Sequence, residues 1–209
     1  PLPGACVLSP TSWRPSFWGL ALLGALGVLW SLVSLPDPLP SSQRVQLSIR
    51  NTLTGYGRQI RRPVFMAYAM AGGFILGSLF TYISASAFVF IQHFGLTATQ
   101  FSYLFAVNSV ALVIGGMISN RALARGASPQ AITLAGVSLH VLAGLTLLLL
   151  IQMDNASLTA YCVLLGSAIG ALGLVFGNLT ALTMGDAGKQ TGTASALMGL
   201  LQYLMSAVV

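Results

Sequence analysis

The side chains able to do acid–base, nucleophilic or metal chemistry are few in this chain, and they stand apart. There are three aspartates, Asp37, Asp154 and Asp186, no glutamate, two histidines, His93 and His140, and two cysteines, Cys6 and Cys162. All three aspartates fall between apolar runs, so no carboxylate pair offers general acid–base catalysis. Ser195 sits in Gly192-Thr193-Ala194-Ser195-Ala196, which lacks the second glycine of a nucleophile elbow, and no Gly-rich phosphate loop follows a strand pattern. The cysteines have no metal-ligand spacing and read as small buried thiols. The chain is therefore expected not to be an enzyme and to use no cofactor and no metal.

Polar residues embedded in long apolar runs are more informative. Ser78, Tyr82 and Ser86 share one helical face, Asn108, Ala111, Gly115 and Ser119 share another, and Asn178 and Gln202 stand in later runs. A polar side chain within a membrane is expensive unless it is paired or meets water, which makes Ser78, Tyr82, Ser86, Asn108, Asn178 and Gln202 the candidate substrate-binding residues. Interhelical hydrogen bonding is the competing reading for each. His140 is the one imidazole near the middle of a run, flanked by Gly136 and Gly144 at four-residue spacing. That spacing predicts a structural histidine facing a neighbouring helix in a tight seam, with proton transfer as the alternative. His93 reads as interfacial, and Trp18, Trp30 and Tyr68 as packing or aromatic-belt residues.

Composition sets the environment that must hold these groups. Of 209 residues 56% are apolar and 6% charged, with a mean hydropathy of +0.85, against roughly 25% charged in soluble domains. A polytopic membrane protein follows. The net charge of +6 does not indicate nucleic-acid binding, because the nine basic residues lie singly or in pairs between apolar runs.

A hydrocarbon core of about 30 Å takes roughly 20 helical residues. Six runs meet or approach that length: α1 (16–35), α3 (64–92), α4 (101–119), α5 (130–152), α6 (158–183) and α7 (193–209), with a shorter stretch, α2 (49–60), between the first two. The fold class is all-α, a polytopic transmembrane helix bundle. Thr97-Ala98-Thr99-Gln100 spells a capping box and Gly95 supports a turn before it, so the uncharged run from Pro63 to Asn120 is two helices.

Basic residues orient the spans. The loop after α1 holds Arg44, Arg50, Arg58, Arg61 and Arg62, the α4/α5 loop Arg121 and Arg125, and the α6/α7 loop Lys189, whereas the opposite side has Arg14 and Asp154. Those three loops are expected to be cytoplasmic. Within the first, Ile49, Leu53, Tyr56 and Ile60 recur at helical spacing with Arg50, Arg58, Arg61 and Arg62 on the other side, as in an interfacial amphipathic helix. Gly55 and Gly57 weaken that pattern, each by up to about 1 kcal/mol, and a solvated basic linker is the alternative. Small residues recur at Gly166, Gly170, Gly173 and Gly177 in α6, at Gly192, Ser195, Gly199 and Ser206 in α7, and at Gly73 and Gly77 in α3. These predict close helix seams, static or sliding.

The chain opens on Pro1-Leu2-Pro3-Gly4 with no initiator Met or signal peptide, and closes within an apolar run. An internal fragment of a longer protein is expected. Several motifs, in order, then resemble one family. Pro1-x-x-Gly4 resembles the end of the Pro-Gly motif of major facilitator antiporters, Trp13-Arg14-x-x-Phe17-Trp18 the entry to their sixth helix, and Leu35-Pro36-Asp37-Pro38-Leu39 the segment after it. The block from Tyr82 to Leu96, with Phe101-Ser102 and Phe105-Ala106-Val107-Asn108, is similar to helices seven and eight of the bicyclomycin and chloramphenicol resistance (Bcr/CflA) branch of drug/proton antiporters. Gly116-x-x-x-Asn120-Arg121 resembles the second copy of the family's loop motif, and the run from Gly192 to Gln202 the start of helix eleven. Ala87 replaces the usual proline, Asp37-Pro38 replaces Glu-Thr and Asn120 replaces Asp. Losing the proline removes the element that would bend α3.

The resemblance implies that α1 and α3 to α7 correspond to helices six to eleven of a twelve-helix major facilitator fold. Residues 1–35 would then end an amino-terminal bundle, 36–63 form a cytoplasmic inter-bundle loop, and 64–209 make a truncated carboxy-terminal bundle. Helices seven, eight, ten and eleven border the family's cavity, and nine lies outside it. The implied function is multidrug efflux by proton antiport in a bacterial inner membrane. The implied partners are membrane lipids, a small apolar or amphipathic drug and protons, with no nucleic acid, and the full-length protein is a monomer. The titrating carboxylate is expected in the missing amino-terminal half. A major facilitator carrier for a metabolite and a non-transporting membrane scaffold are the alternatives.

Overall fold

The computed structural model describes residues 14–34, 48–188 and 191–208. Cys6, Trp13, Asp37, Arg44, Lys189 and the motifs around Pro1 and Pro36 lie outside the described residues. All regular structure among the described residues is helical. Contacts divide the chain into two compact units, 1–49 and 50–209. In the first, α1 (Arg14–Ser34) is 21 residues long, with every side chain from Phe17 to Ser34 exposed.

The second unit holds α2 (Ile49–Ile60), α3 (Pro63–Ala87), α4 (Ala98–Ala124), α5 (Pro129–Gln152), α6 (Leu158–Gly185) and α7 (Thr191–Val208). Local chemistry sets the ends. Pro63 occupies the first turn of α3, where its missing N–H costs nothing. The capping box forms at α4: Thr97 Oγ1 accepts from Gln100 N at 3.2 Å and Gln100 Oε1 accepts from Thr97 N at 2.9 Å. Ser128 and Ser157 cap α5 and α6 by accepting from Ala131 N and Ala160 N, each at 3.2 Å. Gly126, at φ +90°, ends the hydrogen-bonded turn after α4, a conformation a Cβ would oppose. α4 thus runs past both ends of its expected apolar core, because capping and not hydropathy decides where it stops.

α3 does not simply straighten at Ala87. It continues through that residue and widens into a π-helical turn, Phe88–His93, closed by Phe94 N donating to Val89 O at 3.1 Å. Gly95, at φ +70°, then reverses the chain.

α6 is the hub of the bundle, packing on α3, α4 and α5, while α7 pairs with α3. The α4–α6 crossing is backbone on backbone: a Cβ at Gly173 would lie 2.7 Å from Gly116 N, and one at Gly115 would strike Gly170 O. Gly136 of α5 is as close, since a Cβ there would lie 2.6 Å from Val175 Cγ2. The expected seams are corrected in part. Gly177, Gly192 and Gly199 face open space, and α3 meets α7 through Gly72 and Gly73 against Gln202 and Met205. Phe65, Ala69, Leu197 and Met198 form one core, and Ile75, Tyr82, Leu172 and Val175 a second.

The outer surface is apolar, with Leu134, Leu142, Leu149 and Val163 all exposed. Among the described residues five helical segments are long and apolar enough to cross a membrane: Phe17–Ser34, Pro63–His93, Ala98–Ala124, Pro129–Gln152 and Leu158–Gly185. The sixth expected span, α7, forms as an 18-residue helix. Thr191, Thr193, Ser195, Gln202 and Ser206 dilute its apolar character, and it is not among the five.

Candidate substrate-binding site

The row Ser78, Tyr82 and Ser86 on α3 faces a cavity of about 350 Å³ between α3, α5 and α6. α5 contributes His140, Ala143, Gly144 and Leu147, and α6 contributes Tyr161, Leu165, Ala168 and Ile169. No side chain carrying a fixed charge lines it. α5 therefore lines this cavity, whereas the resemblance places its counterpart outside the family's central cavity. His140 reaches across to α3: its Nε2 is 2.9 Å from Ser78 Oγ and its Nδ1 is 3.0 Å from Ala168 O. A carbonyl only accepts, so Nδ1 carries a proton, and in the neutral ring Nε2 accepts from the Ser78 hydroxyl. The tight seam expected around His140 exists on one side only, at Gly136; Gly144 lines the cavity.

Tyr82 is buried, with its ring stacked on Phe105 at 5.4 Å and its hydroxyl accepting from Asn108 Nδ2 at 3.0 Å. The oxygen is thereby engaged and the hydroxyl proton remains to donate. Ser86 is 4% exposed, and its Oγ has no hydrogen-bond partner in the structure. An unpaired buried hydroxyl costs about 1–3 kcal/mol, which a polar ligand atom in the cavity would relieve.

Asn108 does not line this cavity but a second one, of about 560 Å³, between α4 and α6, together with Ala111, Gly115, Gly166 and the half-buried free thiol of Cys162. Asn178 and Gln202 stand elsewhere. Asn178 Nδ2 donates to Ser119 Oγ and to Leu174 O, each at 2.7 Å, within the α4–α6 seam. Gln202 packs on Gly72 in the α3–α7 seam. Ser78, Tyr82 and Ser86 thus share the first cavity, Asn108 joins them only through its hydrogen bond to Tyr82, and the other two stand apart.

Two contributors escape sequence reasoning. Tyr161 closes the end of the first cavity nearest the π-helical turn, edge-on to Phe90 at 5.5 Å and to Phe94 at 5.4 Å. The π-helical turn presents those phenylalanines, and with His93 and Asp154 it borders a third cavity of about 470 Å³. For His140 a signal existed. Ser78 and His140 lie about 22 Å and 16 Å along α3 and α5 from ends assigned to the same membrane face, so a buried hydroxyl and the one mid-span imidazole stand at comparable depth.

Comparison with known proteins agrees with this architecture. The family model described as Major Facilitator Superfamily matches residues 1–209. An uncharacterized MFS-type transporter of Bacillus subtilis, YdgK, is 30% identical over 99% of this chain and 51% of its own length. A bicyclomycin resistance protein homolog of Haemophilus influenzae is 21% identical over 100% of this chain and 52% of its own. The multidrug transporter MdfA of Yersinia pestis is 27% identical over 98% and 50%. The chain spans about half the length of the curated relatives it matches.

Proposed function

This chain belongs to the Major Facilitator Superfamily, and from that premise we propose that it is the carboxy-terminal part of a bicyclomycin/chloramphenicol-type exporter of the bacterial inner membrane. That exporter moves small apolar or amphipathic drugs outward in exchange for protons and acts as a monomer. The observation that carries this reading is the cavity between α3, α5 and α6, which has apolar and aromatic walls, a few hydroxyl groups and no fixed charge. Such a lining suits bulky, weakly polar molecules and offers nothing to fix a charged metabolite. The names of the Haemophilus influenzae and Yersinia pestis relatives point the same way.

In this reading Ser78, Tyr82, Ser86 and Asn108 contact or orient the drug, while Asn178 and Gln202 meet it only when their seams part during transport. In the same reading the proton-coupling carboxylate lies outside these 209 residues: Asp154 and Asp186 follow the ends of α5 and α6, and Asp37 falls between apolar runs of the sequence.

The test is transport by the full-length protein in proteoliposomes. An imposed proton gradient should drive uptake of a neutral drug such as chloramphenicol into inside-out vesicles, and Ser86→Leu, which narrows the cavity and removes its unpaired hydroxyl, should sharply reduce it while leaving monodisperse protein. Transport indifferent to the gradient, or unchanged in Ser86→Leu, would remove this reading.

A further inference from the structure

α2 has three faces with three different environments. Gly55 and Gln59 face the bundle: Gln59 is 1% exposed and its Nε2 donates to Ala187 O, in the turn after α6, at 2.8 Å. Arg62, two residues beyond the helix, donates to Asp186 O in the same turn. Leu53 and Ile60 are 63% and 52% exposed and form a second face. Arg50 and Arg58 form the third, extended by Arg61, and all three are exposed. At about 100° per residue, the docked, apolar and basic faces stand roughly 110–130° apart.

Covalent geometry fixes where this helix can lie. α2 ends at Ile60 and α3, a membrane-spanning segment, begins at Pro63, so α2 is held at the membrane boundary at the first turn of α3. In that layer exposed apolar side chains find the acyl boundary and guanidinium groups find headgroup phosphates. α2 contains no acidic residue, and Arg62 is already engaged by the bundle. Among the described residues no side chain pairs with the guanidinium groups of Arg50, Arg58 and Arg61, which are left for an external anion.

We propose that α2 is a docking surface for anionic phospholipid, with Leu53 and Ile60 in the acyl boundary and Arg50, Arg58 and Arg61 on the headgroups. Gln59 and Arg62 tie its docked face to the α6/α7 turn, so lipid held by α2 bears on that turn. The chemistry selects anionic over zwitterionic lipid, whose own cation already neutralises its phosphate; each arginine contributes on the order of fivefold in local enrichment. The inference is independent of which substrate the protein carries.

The experiment uses the full-length protein with Leu53→Cys as the single cysteine, labelled with bimane and reconstituted in vesicles. Phosphatidylglycerol or phosphatidylcholine carries a spin-label quencher near the headgroup. Quenching is expected from both, several-fold stronger from phosphatidylglycerol, and the excess should vanish in Arg50→Gln/Arg58→Gln/Arg61→Gln while the shared quenching persists. Equal quenching by the two lipids overturns the selectivity. Bimane quenched by aqueous iodide and by neither lipid overturns the docking, as does bimane shielded from both, which would mean that protein covers this face. Monodispersity of the triple variant confirms that a lost excess is not misfolding.

Discussion

The Tyr82–Asn108 pair allows stability and binding to be separated. Tyr82→Phe keeps the ring on Phe105 but removes the acceptor for Asn108 Nδ2, and Asn108 is 3% exposed between α3, α4 and α6. Two magnitudes compete. Hydrogen bonds between membrane helices average about 0.6 kcal/mol and reach about 1.7, whereas a buried donor left without a partner costs about 1–3 kcal/mol. Asn108 is almost fully buried, so the second effect should dominate, and Tyr82→Phe should lower stability by about 1–2 kcal/mol. Asn108→Leu in the same protein removes the stranded amide and should recover stability to within about 0.5 kcal/mol. Affinity should behave differently. If the Tyr82 hydroxyl donates to substrate, the double variant remains weakened, by roughly five- to tenfold for a ligand with a hydrogen-bond acceptor. Reversible unfolding of the full-length protein, with drug affinity on the same preparations, reads both quantities. Tyr82→Phe as stable as wild type would refute the packing argument, and full affinity in the double variant would remove Tyr82 from the binding residues.

Three further outcomes are expected. Gly173→Val should prevent assembly, because its Cβ would lie 2.7 Å from Gly116 N, while Gly177→Val, with open space around it, should cost less than about 1 kcal/mol; folded yield in detergent distinguishes them. A cysteine at position 50 should resist an impermeant thiol reagent in intact cells and react after permeabilisation, and labelling in intact cells would reverse the assigned orientation. Ser78→Ala should strand His140 Nε2 and lower stability by about 1 kcal/mol, with Ser78→Thr retaining most of it in the same unfolding assay.

The helices were legible because lipid leaves few options: a long apolar run must satisfy its backbone internally, and Thr97, Ser128 and Ser157 announce the starts they cap. The interfacial pattern of α2 was also readable, although its docked face was not, because it is made chiefly of Gly55 and Gln59, and of the apolar stripe only Tyr56 packs on the core. The π-helical turn left no mark in the periodicity. One inserted residue rotates the remainder of the helix by about 100°, and it occurs where Phe90 and Phe94 both contact Tyr161, an outcome set by a partner more than sixty residues away. The glycine stripes named the helices able to approach closely but not which glycines would be used. Gly170 and Gly173 meet α4, whereas Gly177, one turn on, meets nothing.

The site was harder to read for a reason rooted in the solvent. Leu134, Leu142 and Leu149 face outward, and lipid is as apolar as they are, so they contribute little to holding α5 against its neighbours. What specifies the bundle is therefore close backbone contact at glycines and a small set of polar pairs: Ser78 with His140, Asn108 with Tyr82, Asn178 with Ser119. Those are the same residue types that a substrate would need. A polar residue within a span thus carries two roles that its position in the sequence cannot separate, and geometry divides them only in part. Asn178 spends its amide protons inside a seam, whereas Ser86 has spent none and faces a cavity. By that criterion Ser86 is the residue with most capacity left for a ligand, and His140, whose ring nitrogens are both engaged, serves to hold Ser78 and the cavity wall in place.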